Sequence, residues 1–137
     1  MNLAFYVLVF DHATDALFNN VGIDQDYRDT AAHSSFAVES HITYDNEVLD
    51  GAELYCTTQL LDFDEKRVHY FHRMYHAEEG YLAATTELLS VHVDLNARRV
   101  VPMPDEFQNR LAAILEDHKS LPKPEQAGRI IGIKRRE

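Results

Sequence analysis

The stretch Leu3 to Phe18 constrains this 137-residue chain more than any other. Leu3, Tyr6, Phe10, Ala13 and Leu17 step by three and four, the spacing that lines one face of an α-helix. Phe5, Val7, Leu8 and Val9 fill the other sides of its first two turns, so the helix is apolar nearly all round there. Such a helix is expected to be wrapped by other elements rather than to lie on a surface. Asp11, His12 and Asp15 interrupt the run too early for a membrane span. Gly22, just after Val21, falls where a left-handed C-terminal cap belongs.

The rest of the chain has mostly strand character. Ile23 to Ala32, with Asp24, Asp26 and Asp29, reads as an acidic loop. Phe36, Val38, Ser40, Ile42 and Tyr44 then alternate with Ala37, Glu39, His41 and Thr43, the period of a strand with one covered face. Asp50-Gly51 predicts a tight turn. Further strands are expected over Glu53 to Leu61, Arg67 to Tyr75 and Tyr81 to Val93, linked by the charged segment 62–66 and by Glu78-Glu79-Gly80. A second helix starts near Asp105 with Phe107, Leu111, Ile114 and Leu115 at helical spacing. Ile130, Ile131 and Ile133 suggest a short edge strand, and Lys134, Arg135 and Arg136 a solvated end. Consecutive strands with short turns pair antiparallel, and the first helix is the natural cover for their apolar face. The expectation is an α+β fold, a curved antiparallel sheet wrapped around a central helix. It forms one domain over residues 1–137, with 118–137 as a C-terminal tail.

Charge and cysteine content narrow the partners. A formal net charge of −10 opposes general nucleic-acid binding, which needs a basic face. The lone Cys56 excludes an internal disulfide and lends no support to zinc, and no secretory signal opens the chain, so a cytoplasmic protein is expected. On a strand His72 and His76 share a face while His69 points the other way, which builds no three-ligand site. No metal, cofactor or membrane partner is therefore expected.

The order of one helix and four long strands resembles the hotdog-fold acyl-CoA thioesterases of the 4-hydroxybenzoyl-CoA thioesterase type. Met1-Asn2 followed by Tyr6 and Phe10-Asp11 is similar to the start of that family's central helix. Tyr44-Asp45-Asn46-Glu47-Val48 with Gly51 is similar to its strand-to-turn segment. Ala84-Thr85-Thr86-Glu87, Val93-Asp94, Arg98-Arg99 and Pro102-Met103-Pro104 are similar to its last strand and exit. The similarity spans roughly residues 1–117. Family members also carry a strand and an aspartate-bearing loop ahead of the helix, the aspartate acting as nucleophile or base. Met1 stands inside that motif, so the resemblance implies either a start upstream of this one or a replaced carboxylate, and the former is expected. It further implies an acyl-CoA substrate, hydrolysis of its thioester, and a homodimer or dimer of dimers with sites at subunit interfaces. The rival reading is a non-catalytic hotdog protein that binds an acyl thioester or a protein partner.

Thioester hydrolysis places negative charge on the carbonyl oxygen, and the unpaired N–H groups of a helix start can hold it. Asn2, Leu3 and Ala4 are the candidates, against the plain alternative that they only begin the helix. Glu47 is the candidate carboxylate for activating water, against a solvated turn residue. Glu87 reads as a half-buried structural glutamate, and Asp11 and Asp15 as a solvated helix edge. Tyr6 and His72 are candidates for contacting substrate. Lys66 with Arg67, and Arg98 with Arg99, are candidates for the phosphates of CoA, against ordinary surface charge. Tyr44, Tyr55, Tyr70, Phe71 and Tyr75 could box a quaternary ammonium acyl group, against core packing. Nothing in the sequence names the acyl group itself.

Overall fold

Helix α1 (Leu3–Val21) begins at Asn2, whose backbone is extended and whose side chain accepts the Phe5 N–H at 3.1 Å. Asparagine is among the best residues for that duty. The computed structural model describes residues 2–135, so Met1, Arg136 and Glu137, named above or not, lie outside it. At its other end α1 closes on Gly22 at φ 116°, whose N–H returns to the Phe18 carbonyl at 3.0 Å. A Cβ at Gly22 would stand 2.5 Å from Phe107 Cε1, so the turn needs glycine for its angle and for its space.

The acidic stretch after Gly22 is not a loop throughout. Residues Gln25–Ala31 form helix α2, with the Asp24 side chain accepting the Tyr27 N–H at 2.9 Å and Ala32 closing it in the left-handed region. None of its residues is fully buried, so no apolar stripe announces it; its caps specify it.

Strands β1 (His33–Tyr44), β2 (Leu54–Phe63), β3 (Arg67–His76) and β4 (Leu82–Asp94) form one antiparallel sheet in the order β1-β4-β3-β2, with β5 (Arg99–Val100) on the end of β4. The pairs β2–β3 and β3–β4 are the expected hairpins. The pair β1–β2 is not: β1 bonds β4, and segment 45–53 carries the chain from one edge of the sheet to the other. The start of β4 captures that segment, because Ala83 O accepts from the N–H groups of Asp45 and Asn46, and Leu82 O from Asn46 Nδ2. Gly51 then turns the chain at φ 86°.

Beneath α1 the core falls into two halves. Leu17, Phe18 and Val21 pack with Leu60, Tyr70 and Leu111, the last from helix α3 (Asp105–His118). Tyr6 and Phe10 pack with Val48, Met74, Ala83 and Ala84. Burying a side chain such as Phe18 contributes about 2–3 kcal/mol. The expected wrapping of α1 is only half realised. Leu3, Phe5, Val7 and Leu8 stay 44–65% exposed, because the sheet covers one side of the helix alone. Likewise β1 is covered only towards its ends, at Ser34 and Ile42: it is an edge strand, a bulge between Ala37 and Glu39 breaks its alternation, and Phe36 and Val38 remain exposed.

The C-terminal segment crosses the opposite face of the sheet. His118 Nδ1 accepts the Leu60 N–H at 2.9 Å, Pro122 O accepts from Gln59 Nε2, and the Gly128 N–H donates to Glu87 Oε1 at 2.7 Å. Ile130, Ile131 and Ile133 form no strand. They stay 79–88% exposed, and the last tie before them, from Gly128, goes to the Glu87 side chain of β4, whose two backbone edges are already bonded to β1 and β3. No helix among the described residues is long and apolar enough to cross a membrane.

Candidate active site

The start of α1 lies over the end of the sheet where β1 stops and β4 begins. There the Tyr6 and Tyr44 rings meet edge to face at 5.1 Å. Asn2 occupies the Phe5 N–H, which leaves the Leu3 and Ala4 N–H groups without a partner among the described residues. No acidic side chain stands in the first turn of α1. The positive end of the helix dipole is therefore free to take a developing oxyanion. Asn2 itself acts as the cap that sets the direction of those two donors.

Glu47 is exposed on the 45–53 segment next to Val48, which packs with Tyr6 of α1, and its carbonyl accepts the Tyr81 hydroxyl at 2.8 Å. Tyr81 also packs against the cluster that holds Tyr6 and Val48, and burial, and after it the neighbouring Glu79, Tyr6 and Glu47, raises its pKa. Thr43 Oγ1 bonds both Asp45 Oδ2 at 3.1 Å and Thr85 Oγ1 at 2.5 Å, fixing the root of the segment. Two unpaired N–H donors and a carboxylate are the minimum for attack of water on a thioester. Cys56 is no rival nucleophile, since burial pushes its thiol up to about 11.

His72 is elsewhere. It is fully buried under the middle of α1, with Thr14 Oγ1 3.0 Å from Nε2 and Thr58 Oγ1 2.8 Å from Nδ1. Burial lowers its pKa to about 4, so the ring is held neutral between two hydroxyls and out of a substrate's reach.

The basic residues occupy the other end of the sheet. Arg67 is paired with Asp64, and the Lys66 carbonyl accepts the His92 N–H. Arg98, at φ 56°, and Arg99 follow a turn in which Asp94 Oδ1 accepts the N–H groups of Asn96 and Ala97. The Ala97 N–H, foremost, holds the Asp94 carboxyl below the usual range. Arg98 and Arg99 line a groove of about 430 Å³ with Phe36, Val93, Leu95 and Val100. At about 3.3 Å per residue, the path along β4 from Ala84 to Asp94 is about 33 Å. Within one chain these cations and the start of α1 do not meet.

The remaining polar residues singled out in the sequence serve the scaffold. Glu87 Oε2 lies 2.6 Å from His69 Nε2 on the face away from α1. Tyr70 and Phe71 are fully buried, and Tyr55 stacks on Tyr75 at 5.1 Å. Asp11 and Asp15 are exposed on α1. The residue at this end that sequence reasoning did not single out is Tyr81. The sequence reads it as the start of the fourth strand, but it precedes β4, and its tie to Glu47, 34 residues earlier in the chain, leaves no local signal.

The profile of the thioesterase-like superfamily matches residues 1–111. The chain is 42% identical over 130 residues to the betainyl-CoA thioesterase of Pseudomonas aeruginosa, which covers 95% of this chain and 82% of that protein. It is also 42% identical to the L-carnitine dehydrogenase/betainyl-CoA thioesterase of Rhizobium meliloti, where the match covers 26% of the longer protein. A Staphylococcus aureus protein solved in complex with CoA superimposes with a TM-score of 0.91 at 28% identity, covering 98% of this chain and 84% of that one. A candidate thioesterase from Pseudomonas putida superimposes at 0.84 with 34% identity, covering 98% and 86%. With the sheet, the helix and the donors at its start in place, the chain belongs to the thioesterase-like superfamily, has its hotdog fold, and is an acyl-CoA thioesterase.

Proposed function

We propose that the acyl group is small and carries a quaternary ammonium, as in betainyl-CoA, and that a second copy of the chain completes each site. In this reading Glu47 takes a proton from water as the oxygen attacks the carbonyl carbon. The Leu3 and Ala4 N–H groups hold the oxyanion. The C–S bond then breaks, the sulfur leaves as the thiol with the returned proton, and the acyl group leaves as its carboxylate, the second proton of the water passing to solvent.

The observation that carries the reading is where the cations lie: Lys66, Arg67, Arg98 and Arg99 stand at one end of the sheet, and the segments at the other end have none. Segment 45–53 holds Asp45, Glu47, Asp50 and Glu53, and the turn before Tyr81 holds Glu78 and Glu79; neither contains Lys or Arg. That end suits a cationic acyl group, and Lys66, Arg67, Arg98 and Arg99 at the other end suit the phosphates of CoA. Two-fold pairing of β1 with β1 of a second copy reverses the strand. It would bring His33 and the Arg98–Arg99 groove of that copy beside Tyr44 and the start of α1. The free β1 edge and the exposed Phe36 and Val38 support that pairing. The similarity to betainyl-CoA thioesterases supports the acyl group. A cytoplasmic dimer fits both the pool of CoA esters and a free Cys56.

Thiol release from betainyl-CoA, acetyl-CoA and a long-chain acyl-CoA tests the reading. Betainyl-CoA should be hydrolysed with the highest kcat/KM, and Glu47→Gln should lower kcat by about 100-fold or more with little change in KM. No release from betainyl-CoA would contradict the acyl assignment. A Glu47→Gln enzyme within about threefold of wild type in kcat would remove Glu47 from the mechanism.

A further inference from the structure

The start of α1 poses an electrostatic problem for the proposed substrate. In a betainyl thioester the ammonium nitrogen lies about 2.5 Å from the carbonyl carbon, across one methylene. It must therefore sit in the same neighbourhood as the oxyanion donors. A helix N-terminus is the positive end of a dipole and repels a cation. Three methyl groups shield the nitrogen, so no hydrogen bond can offset that repulsion. The carboxylates of segment 45–53 attract the cation from a distance, and at contact the face of an aromatic ring does so through its quadrupole.

Three tyrosines stand at that place, and each is held. Tyr6, 5% exposed, is locked in the core between α1 and β4. Tyr44, at the last position of β1, meets Tyr6 edge to face at 5.1 Å and is 48% exposed. Tyr81 is tied through its hydroxyl to the Glu47 carbonyl at 2.8 Å, and His76 stacks on one side of its ring at 5.0 Å. Rings fixed by neighbours do not lose rotamer freedom when a ligand arrives, which is what makes them useful as binding walls. We infer that Tyr44 and Tyr81, set by Tyr6 and His76, form the subsite that takes the quaternary ammonium of the acyl group. The aromatic set read from the sequence is thereby re-sorted. Tyr70 and Phe71 belong to the core and Tyr55 pairs with Tyr75, leaving Tyr44 from that set, with Tyr6 and Tyr81 added to it.

This inference rests on the betainyl reading, and the test separates the two. Its readout is the ratio of kcat/KM for betainyl-CoA to that for tert-butylacetyl-CoA, a neutral isostere with carbon in place of the ammonium nitrogen. Wild type should favour betainyl-CoA. Tyr44→Leu and Tyr81→Leu should each lower the ratio by about tenfold, and Tyr44→Phe should leave it within about twofold. If Tyr44→Leu does not fold, progressive fluorination of a phenylalanine at position 44 drains the ring's quadrupole without changing its shape. The ratio should then fall with each fluorine. A wild-type preference that neither substitution nor fluorination moves would overturn the subsite and leave the substrate assignment standing. A wild type that does not distinguish the two esters would overturn the assignment and the subsite with it.

Discussion

The two ends of this sheet are finished to different degrees. Where β4 ends, the buried polar side chains are bonded to one another. The Tyr27 hydroxyl lies 2.8 Å from His92 Nε2 and 3.1 Å from His33 Nδ1, and His92 Nδ1 lies 2.9 Å from the Val101 carbonyl. A carbonyl can only accept, so His92 Nδ1 carries the proton, Tyr27 donates to His92 Nε2, and His33 donates to Tyr27. Phe18, Val21 and Tyr70 close the core beneath. Where β4 begins, the helix start has two N–H groups without a partner among the described residues and exposed Leu3, Phe5, Val7 and Leu8, and segment 45–53 adds the exposed Glu47 carboxylate. In the proposed mechanism the bonded interior of the closed end supplies stability and the open end supplies the reacting groups, since donors already satisfied by the protein cannot serve a substrate.

Mutations at the two halves of α1 should separate these duties. Phe18→Ala, at a residue 2% exposed and edge to face with Tyr70 at 5.6 Å, should cost about 3–5 kcal/mol in denaturant unfolding. Leu8→Ala, at a residue 48% exposed, should cost no more than about 1 kcal/mol. Equal losses would mean that the open half is as tightly packed as the closed one.

The boundary between the halves should be visible in pH. His72 is neutral when folded, with a pKa of about 4 against an ordinary 6.5, because burial penalises its charged form. Above pH 6.5 neither folded nor unfolded chain binds this proton, and stability does not depend on it. As pH falls from 6.5 to 4 the unfolded chain is protonated first, so stability is lost, by about 3 kcal/mol in all. Unfolding curves for wild type and His72→Gln between those pH values should converge by about that amount. Parallel curves would show that His72 takes up a proton without strain in the fold.

The smallest effect is expected at the cap. Asn2→Ala should cost about 1 kcal/mol of stability. It should also lower kcat more than it raises KM, because Leu3 and Ala4 lose the anchor that aims them. A stability loss with unchanged kcat would confine Asn2 to the fold.

Much of this was legible in the sequence. The apolar run from Leu3, Gly22 after Val21, and the alternation of the third strand each carry their own local physics, and the helix, its C-terminal cap and the strand appear as read, whereas the cap duty of Asn2 shows only in the structure. The partner of β1 was not legible. Segment 45–53 is short enough for a hairpin, and only its bonds to Leu82 and Ala83, far off in the chain, carry it across the sheet. The short helix α2 was missed because caps rather than periodicity make it. At the site, the helix start and Glu47 came from local motifs. The position of Arg98 and Arg99 about 33 Å away follows from register along β4, which no local motif encodes.

The account's central claim is that the two ends meet across a dimer, and mixing two inactive variants tests it most directly. Glu47→Gln damages only the open end, and Arg98→Glu with Arg99→Glu damages only the basic end. In a dimer of one of each, both lesions fall in one site and the other site is intact. After subunit exchange at equal amounts, half the dimers are mixed, so thiol release should return to about a quarter of the wild-type rate. A mixture no more active than its two components would contradict the claim and confine each site to a single chain.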